Sequence, residues 1–315
     1  MCESGTERER RKVLKYTIKR VGLAIVSVLI VSAITFFAMN LIPGGPFNKE
    51  KASSPAVQQE LERRYNLDKP VPEQYVLYMK NVLHGDWGVS LKSGRDIWTD
   101  IQMKFAVSAK LGGSAALVAI IFGIILGSIA ALTRNKLPDR TIVFLTTLGT
   151  AMPSFVLATL LLLVFCLQLK IIPVWSSSNP NYVLPIIALS IYPMAYITRL
   201  TKTSMLDALN QDYIRTAKAK GVPAVWMIFK HALRNALIPV ITYVGPMVAY
   251  ILTGSMVVEN IFTIGGLGTS FVTSITNRDY TTIMATTLFL AILMVVANLL
   301  TDLAYKLVDP RITFE

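Results

Sequence analysis

Ionisable groups are nearly missing where a membrane enzyme or an ion-coupled carrier would need them. Several apolar runs reach the ~20 residues that a helix needs to cross a hydrocarbon core of ~30 Å. The middles of these runs are almost free of Asp, Glu, Lys, Arg and His. Proton- and ion-coupled transporters usually keep such groups near the midplane, so a self-powered carrier is disfavoured. Histidine is also scarce. His84 and His231 are the two in the chain, and neither belongs to an H-E-x-x-H or other ligand spacing. There are two cysteines: Cys2 lies in a polar tail and Cys166 in an apolar run, which argues against a disulfide framework. No apolar segment precedes Cys2, so it is not read as a lipid-modified cysteine. Neither a G-x-S-x-G elbow nor a G-x-x-x-x-G-K-[ST] phosphate loop occurs.

What is present is apolar. Hydrophobic residues make up 53% of the 315 and charged ones 16%, against ~25% charged in a soluble domain. The expected fold class is an all-α polytopic membrane protein with six transmembrane helices and both termini in the cytoplasm. The net charge of +12 does not point to nucleic acid, because the basic residues flank the apolar runs as topology signals do. Membrane lipid is the expected surround.

Residues 1–20 form a basic tail and 21–42 a first span. That span is too long for a signal-peptide core and lacks a small-residue cleavage site, so it is expected to be retained. Residues 43–105 form a polar excursion outside the membrane, with nine Lys and Arg against eight Asp and Glu. Pro55–Tyr65 and Pro72–Leu83 read as short amphipathic helices within it. The remaining spans fall at about 105–133, 141–169, 183–203, 237–258 and 282–305, giving a five-helix core over 106–305. Residues 306–315 return inside. In the second span Lys110 is expected to snorkel to the headgroups. Gly112, Gly113, Gly123 and Gly127 mark a face for close helix contact. The turn 134–140 and the loop 204–236 are short and basic, hence cytoplasmic.

The loop around Asp212–Pro239 is where a soluble partner would act. Asp212 is a plausible N-cap for a helix over Tyr213–Lys220, with Gly221 at the C′ position. Pro223 opens a second helix, on which Val225, Ile228, Phe229 and Leu233 fall on one face. The pattern fits a compact docking knob or, alternatively, a hairpin lying on the inner leaflet.

Arg215-Thr216-Ala217, then Gly221, then Lys230-His231-Ala232-Leu233-Arg234-Asn235-Ala236 with Leu237-Ile238-Pro239, resemble the EAA loop of binding-protein-dependent ABC importers. The form is that of the dipeptide and oligopeptide permeases. Arginine stands where the general pattern has glutamate. Other fragments resemble the same subgroup: Leu41-Ile42-Pro43-Gly44, Asn66-Leu67-Asp68-Lys69-Pro70 with Gln74-Tyr75, Gly85-Asp86-Trp87-Gly88-Val89-Ser90 and Met152-Pro153-Ser154-Phe155. They continue with Val258-Glu259-Asn260-Ile261-Phe262, Gly266-Leu267-Gly268, Arg278-Asp279-Tyr280 and Asp309-Pro310-Arg311.

The resemblance implies a type I importer permease in the plasma membrane that is not itself an enzyme. It implies a second, related permease, two ATPase subunits that bind ATP and Mg, and an extracytoplasmic substrate-binding protein. This chain itself is expected to bind no cofactor and no metal. The implied coupling loop comprises Arg215, Thr216, Ala217, Gly221, Pro223, Val225, Ile228, Phe229, His231, Arg234 and Asn235. Pro153 and Ser154, at the break in the third span, are candidates for the translocation path. A nickel-chelate permease of the same family is the alternative to a peptide permease. A membrane enzyme or structural subunit would need a polar constellation inside the bilayer, and the sequence offers none.

Overall fold

A computed structural model describes residues 5–42, 68–253 and 255–308, with side chains over 18–42, 68–253 and 255–301. The expected helix Pro55–Tyr65, the fragments Pro43-Gly44, Asn66-Leu67 and Asp309-Pro310-Arg311, and Cys2 lie outside the described residues. The described chain is helical apart from turns and one isolated bridge between Val89 and Asp96.

Five stretches are long and apolar enough to cross a membrane: Ile18–Asn40, Ile97–Leu132, Val183–Leu209, Ala224–Ile261 and Tyr280–Thr301. The expected third span is not one straight helix. Leu137–Ala151 and Ser154–Gln168 meet at a bend of 103°, and they make a sixth span if counted together. The bend falls at Met152–Pro153, because proline disfavours helical geometry in the residue before it. Met152 has ψ 127 and Pro153 has ψ 138, both outside the helical region.

The chain divides into two compact units. Of the described residues, the first holds those up to Ala106 together with Ser270–Val296. Its helices are α1 (Gly5–Asn40), α2 (Val71–Leu83) and the beginning of α3 (Ile97–Leu132). It also takes most of α11 (Leu267–Asn277) and the first part of α12 (Tyr280–Val308). α2 opens with proline in its first turn, as expected for Pro72.

Much of α1 is apolar yet exposed: Leu23, Ile25, Ile30 and Ile34 are all open, as on a lipid-facing helix. Its inner side packs Phe36 and Met39 against Tyr280, Ile283 and Met284. Ser32 Oγ lies 2.8 Å from the Tyr75 hydroxyl. Two sequence fragments meet at Asp279, which is buried and accepts from Ser90 Oγ (2.5 Å), Leu91 N–H (3.1 Å) and Thr282 Oγ1 (2.8 Å). Asp96 caps α3, accepting from the Thr99 N–H and hydroxyl, and the hydroxyl bond holds its carboxyl below the ordinary range.

The second unit holds Val107–Thr269 and the described residues from Ala297 onward. It contains the rest of α3, α4 (Leu137–Ala151), α5 (Ser154–Leu161, continuing as π-helix Leu162–Gln168) and α6 (Val183–Leu209). Gly123 and Gly127 bring α3 against α6, as their spacing predicts. A Cβ on Gly127 would sit 2.6 Å from the Thr198 carbonyl oxygen, which is closer than real contacts allow. Gly112 makes a similar approach to Ile251, whereas Gly113 faces open space and is not part of the contact. Lys110 is exposed, with its ammonium 5.1 Å from the Tyr182 ring centroid.

Candidate functional site

Two features of the second unit stand out, one at each end of the same pair of helices. The first is the loop after α6. α7 (Asp212–Ala219) buries Ile214 and Ala217, with Ile214 packed in a cluster with Met205, Ala208, Ala232 and Ala236. Asp212 is the first helical residue rather than the N-cap; Gln211 holds that position, and no side chain caps it. The Asp212 carboxylate instead lies 3.5 Å from the Arg215 guanidinium, with both side chains exposed. At the other end Gly221 has φ +72, with its N–H bonding to the Lys218 carbonyl, while the Val222 N–H bonds to the Ala217 carbonyl. That pair of bonds is a Schellman stop, and its left-handed position suits glycine.

Pro223 then precedes α8 (Ala224–Trp226), which winds on as π-helix Met227–Leu233 into α9 (Arg234–Leu252). The second loop helix is therefore continuous with the following span. Bonding five residues apart widens the turn and splits the face expected from regular helical spacing. Ile228 and Leu233 turn inward onto the Ala131–Met205–Ile214 cluster. Val225, Trp226 and Phe229 turn outward, 62–64% exposed. Trp226 lies three residues before Phe229 and so shares its side of the helix, although the expected face did not include it.

Around this apolar tip Arg215, Lys218, Lys220, Lys230 and Arg234 are all exposed. Thr216 and Pro223 are exposed as well, the Thr216 hydroxyl bonding back to the Asp212 carbonyl. His231 is half-buried, and Asn235 donates to its carbonyl oxygen at 3.1 Å. Of the expected coupling residues, Ala217 and Ile228 thus support the knob from within, and the others lie on or beside its surface.

The second feature is a cavity of about 610 Å³ between α4, α5, α6 and α9. The break at Met152–Pro153–Ser154 forms one wall, so both expected path residues line it. Tyr192, Tyr243 and Tyr250 line the other sides, with Pro193 and Pro246 inside their helices. Tyr196 stacks on Tyr243 with ring centroids 4.2 Å apart. Arg199 donates to Thr150 Oγ1 at 2.8 Å. The next turn of α6 carries Lys202, which is ion-paired with the buried Asp139 carboxylate. The Asn135 N–H also donates to that carboxylate, at 3.0 Å, pinning the 134–140 turn to α6.

A third arrangement escaped sequence reasoning. α10 (Met256–Ile261) begins at Ser255, whose hydroxyl accepts from the Val258 N–H, and carries Glu259, which is wholly buried. The Glu259 carboxylate accepts from Ser108 Oγ (2.8 Å), Gly268 N–H (2.8 Å) and Thr269 N–H (3.2 Å). A Cβ on Gly266 would run into that carboxylate, and one on Gly268 would lie 2.9 Å from Met256 Cα. The Gly266-Leu267-Gly268 fragment is thus shaped by a side chain in the Val258–Phe262 fragment. Among the described residues no group of three His, Cys, Asp or Glu side chains could hold a metal.

Comparison with known proteins shows the family. Residues 123–314 match the family described as binding-protein-dependent transport system inner membrane component, and residues 13–111 match its N-terminal companion. The chain is 48% identical over 300 residues to the dipeptide transport system permease protein DppB of Bacillus subtilis, covering 95% of this chain and 97% of that one. It is 40% identical over 306 residues to the oligopeptide transport system permease protein OppB of Haemophilus influenzae, covering 96% and 100%. A solved structure of the MetNI methionine ABC transporter in an inward-facing conformation matches with a TM-score of 0.53 and 14% identity. It covers 66% of this chain and 96% of that chain, a likeness of fold alone.

Proposed function

The chain belongs to the family of binding-protein-dependent transport system inner membrane components, and from that premise we propose that it is the permease subunit of an ATP-driven peptide importer. The observation that carries this reading is the knob: an apolar tip of Val225, Trp226 and Phe229, ringed by cations, on a helix continuous with the next span. Exposed aromatic residues framed by charge suit a docking partner.

The partner is a pair of ATPase subunits that bind ATP and Mg; this chain contributes no nucleotide site. A second, homologous permease completes the path, and an extracytoplasmic binding protein delivers substrate to a scoop built from residues 43–105. Both termini then face the cytoplasm with the knob. α6 and the Ala224–Leu252 stretch each run from the knob to the cavity, so motion imposed at the tip reaches Tyr192 and Tyr243 along continuous helices. The names of the relatives favour peptides over nickel chelates as cargo.

Reconstitution with a second permease, ATPase subunits and a substrate-binding protein from the same organism tests the reading. ATP-dependent uptake of di- or tripeptides is expected. Uptake of a nickel chelate and no peptide would overturn it.

A further inference from the structure

The cavity wall has a chemistry of its own. On α6, Tyr192, Tyr196 and Arg199 follow one another at helical spacing, and on α9 Tyr243 and Tyr250 do the same. Tyr192, Tyr196 and Tyr250 are 53%, 43% and 69% exposed, an unusual placement for phenols in helices otherwise apolar enough to sit in a membrane. A hydroxyl can donate to a carbonyl or accept from an N–H, and its ring accepts apolar groups of any shape. Such a wall holds a peptide backbone without selecting its side chains.

The Arg199 guanidinium sits at the edge of this wall. It is exposed, oriented by Thr150, and no carboxylate pairs with it among the described residues. One turn further along the helix Lys202 is already neutralised by Asp139. The lining residues include no Asp or Glu. The lining thus carries no charged residue of either sign, and Arg199, bonded to the lining residue Thr150, places an unneutralised positive charge beside it. Its volume of about 610 Å³ falls within the ~300–1,000 Å³ of small-ligand sites.

We propose that this tyrosine-walled cavity is a transit site for peptides, in which Arg199 receives the free C-terminal carboxylate while the tyrosine hydroxyls bond the main chain. The proposal rests on the peptide-importer reading above and adds a substrate rule to it: the transport step itself favours peptides with a free carboxylate over their C-terminal amides. Guanidinium–carboxylate bonds are charge-assisted and forked, and an amide reproduces neither property.

The test uses the assembled importer in proteoliposomes, with a tripeptide and its C-terminal amide each delivered at a saturating concentration of loaded binding protein. The readout is the ratio of the two uptake rates per ATP hydrolysed. The wild-type ratio is expected to be at least about tenfold in favour of the free carboxylate, the scale of a charge-assisted bond. Arg199→Gln should bring it close to one, and Arg199→Lys should keep part of it. Thr150→Val, which removes only the group that orients the guanidinium, should lower the ratio several-fold.

A wild-type ratio near one, or a ratio unmoved by Arg199→Gln and Thr150→Val, overturns the proposal. So does loss of the second permease from the purified Arg199→Gln and Thr150→Val complexes, which would assign this wall to a subunit contact. Failure of the wild type to import either peptide would instead sink the importer reading.

Discussion

Ser108 Oγ donates to Glu259 Oε1 across 2.8 Å, though 151 positions separate the two residues in the chain. The same serine oxygen accepts from the Leu267 N–H at 2.8 Å, while Glu259 Oε2 takes the N–H groups of Gly268 and Thr269. The first three N–H groups of α11, which no helical carbonyl can satisfy, are thereby all bonded. A buried carboxylate is costly by itself. Here three donors and the positive end of a helix dipole offset that cost.

Removing a donor from this arrangement should be felt in stability. Ser108→Ala leaves a buried carboxylate with fewer donors and the Leu267 N–H without an acceptor, a loss of about 1–3 kcal/mol. Glu259→Ala, which strands the Gly268 and Thr269 N–H groups, should cost at least as much. Thermal unfolding of the detergent-solubilised chain measures both. An unchanged midpoint in Ser108→Ala would show that the contact is not stabilising.

The turn at Gly221 gives a second expectation. A β-branched side chain at φ +72 is strained, by about 1–2 kcal/mol relative to glycine. Gly221→Val should therefore reorient the tip without unfolding the spans. ATP hydrolysis by the assembled complex should continue while uptake falls. Gly221→Asn, which tolerates the left-handed region better, should keep more of the uptake. Normal uptake by a stable Gly221→Val complex would remove the role given to this turn.

How much of this was legible in the sequence depends on the range of the interaction. Apolar runs announce spans locally, and Gly221 and Pro223 announce the end of one loop helix and the start of the next. Gly123 and Gly127 announced a close contact because their spacing is itself a helical face. The inward turn of Leu233, away from the exposed Phe229, was not legible, since π-winding leaves no periodic trace in the residues. Nor was the role of Glu259. Its partners lie at Ser108 and Gly268, and only the folded chain brings them together. Pro153 signalled a break, but the 103° angle depends on how α5 packs against α6.

The split loop face predicts opposite consequences for neighbouring residues. Trp226→Ala removes an exposed aromatic anchor and should weaken capture of the ATPase subunits by roughly 30-fold or more, the scale of an interface hot spot. The isolated chain should keep its melting temperature. Ile228→Ala removes methylenes packed against Ala131 and Met205, so its main effect should be on that temperature. Affinity measured by pull-down, set beside thermal unfolding, separates the two. Equal effects of both variants on both readouts would mean that the face is not split.

The pair Asp139–Lys202 supports the last prediction. The carboxylate is almost fully buried and the ammonium mostly so, with side-chain exposures of 6% and 21%. Lys202→Met leaves Asp139 buried with only the Asn135 N–H as a donor, which should destabilise by about 3 kcal/mol. Asp139→Asn leaves an ammonium nearer to solvent, so its cost should be smaller. The double variant Asp139→Asn/Lys202→Met removes both charges and should regain much of the loss, because neither group is then left charged and unpaired. A double-mutant cycle on thermal unfolding reads the coupling directly. Simple additivity of the two single variants would show that the turn 134–140 is held to α6 by packing and not by this ion pair.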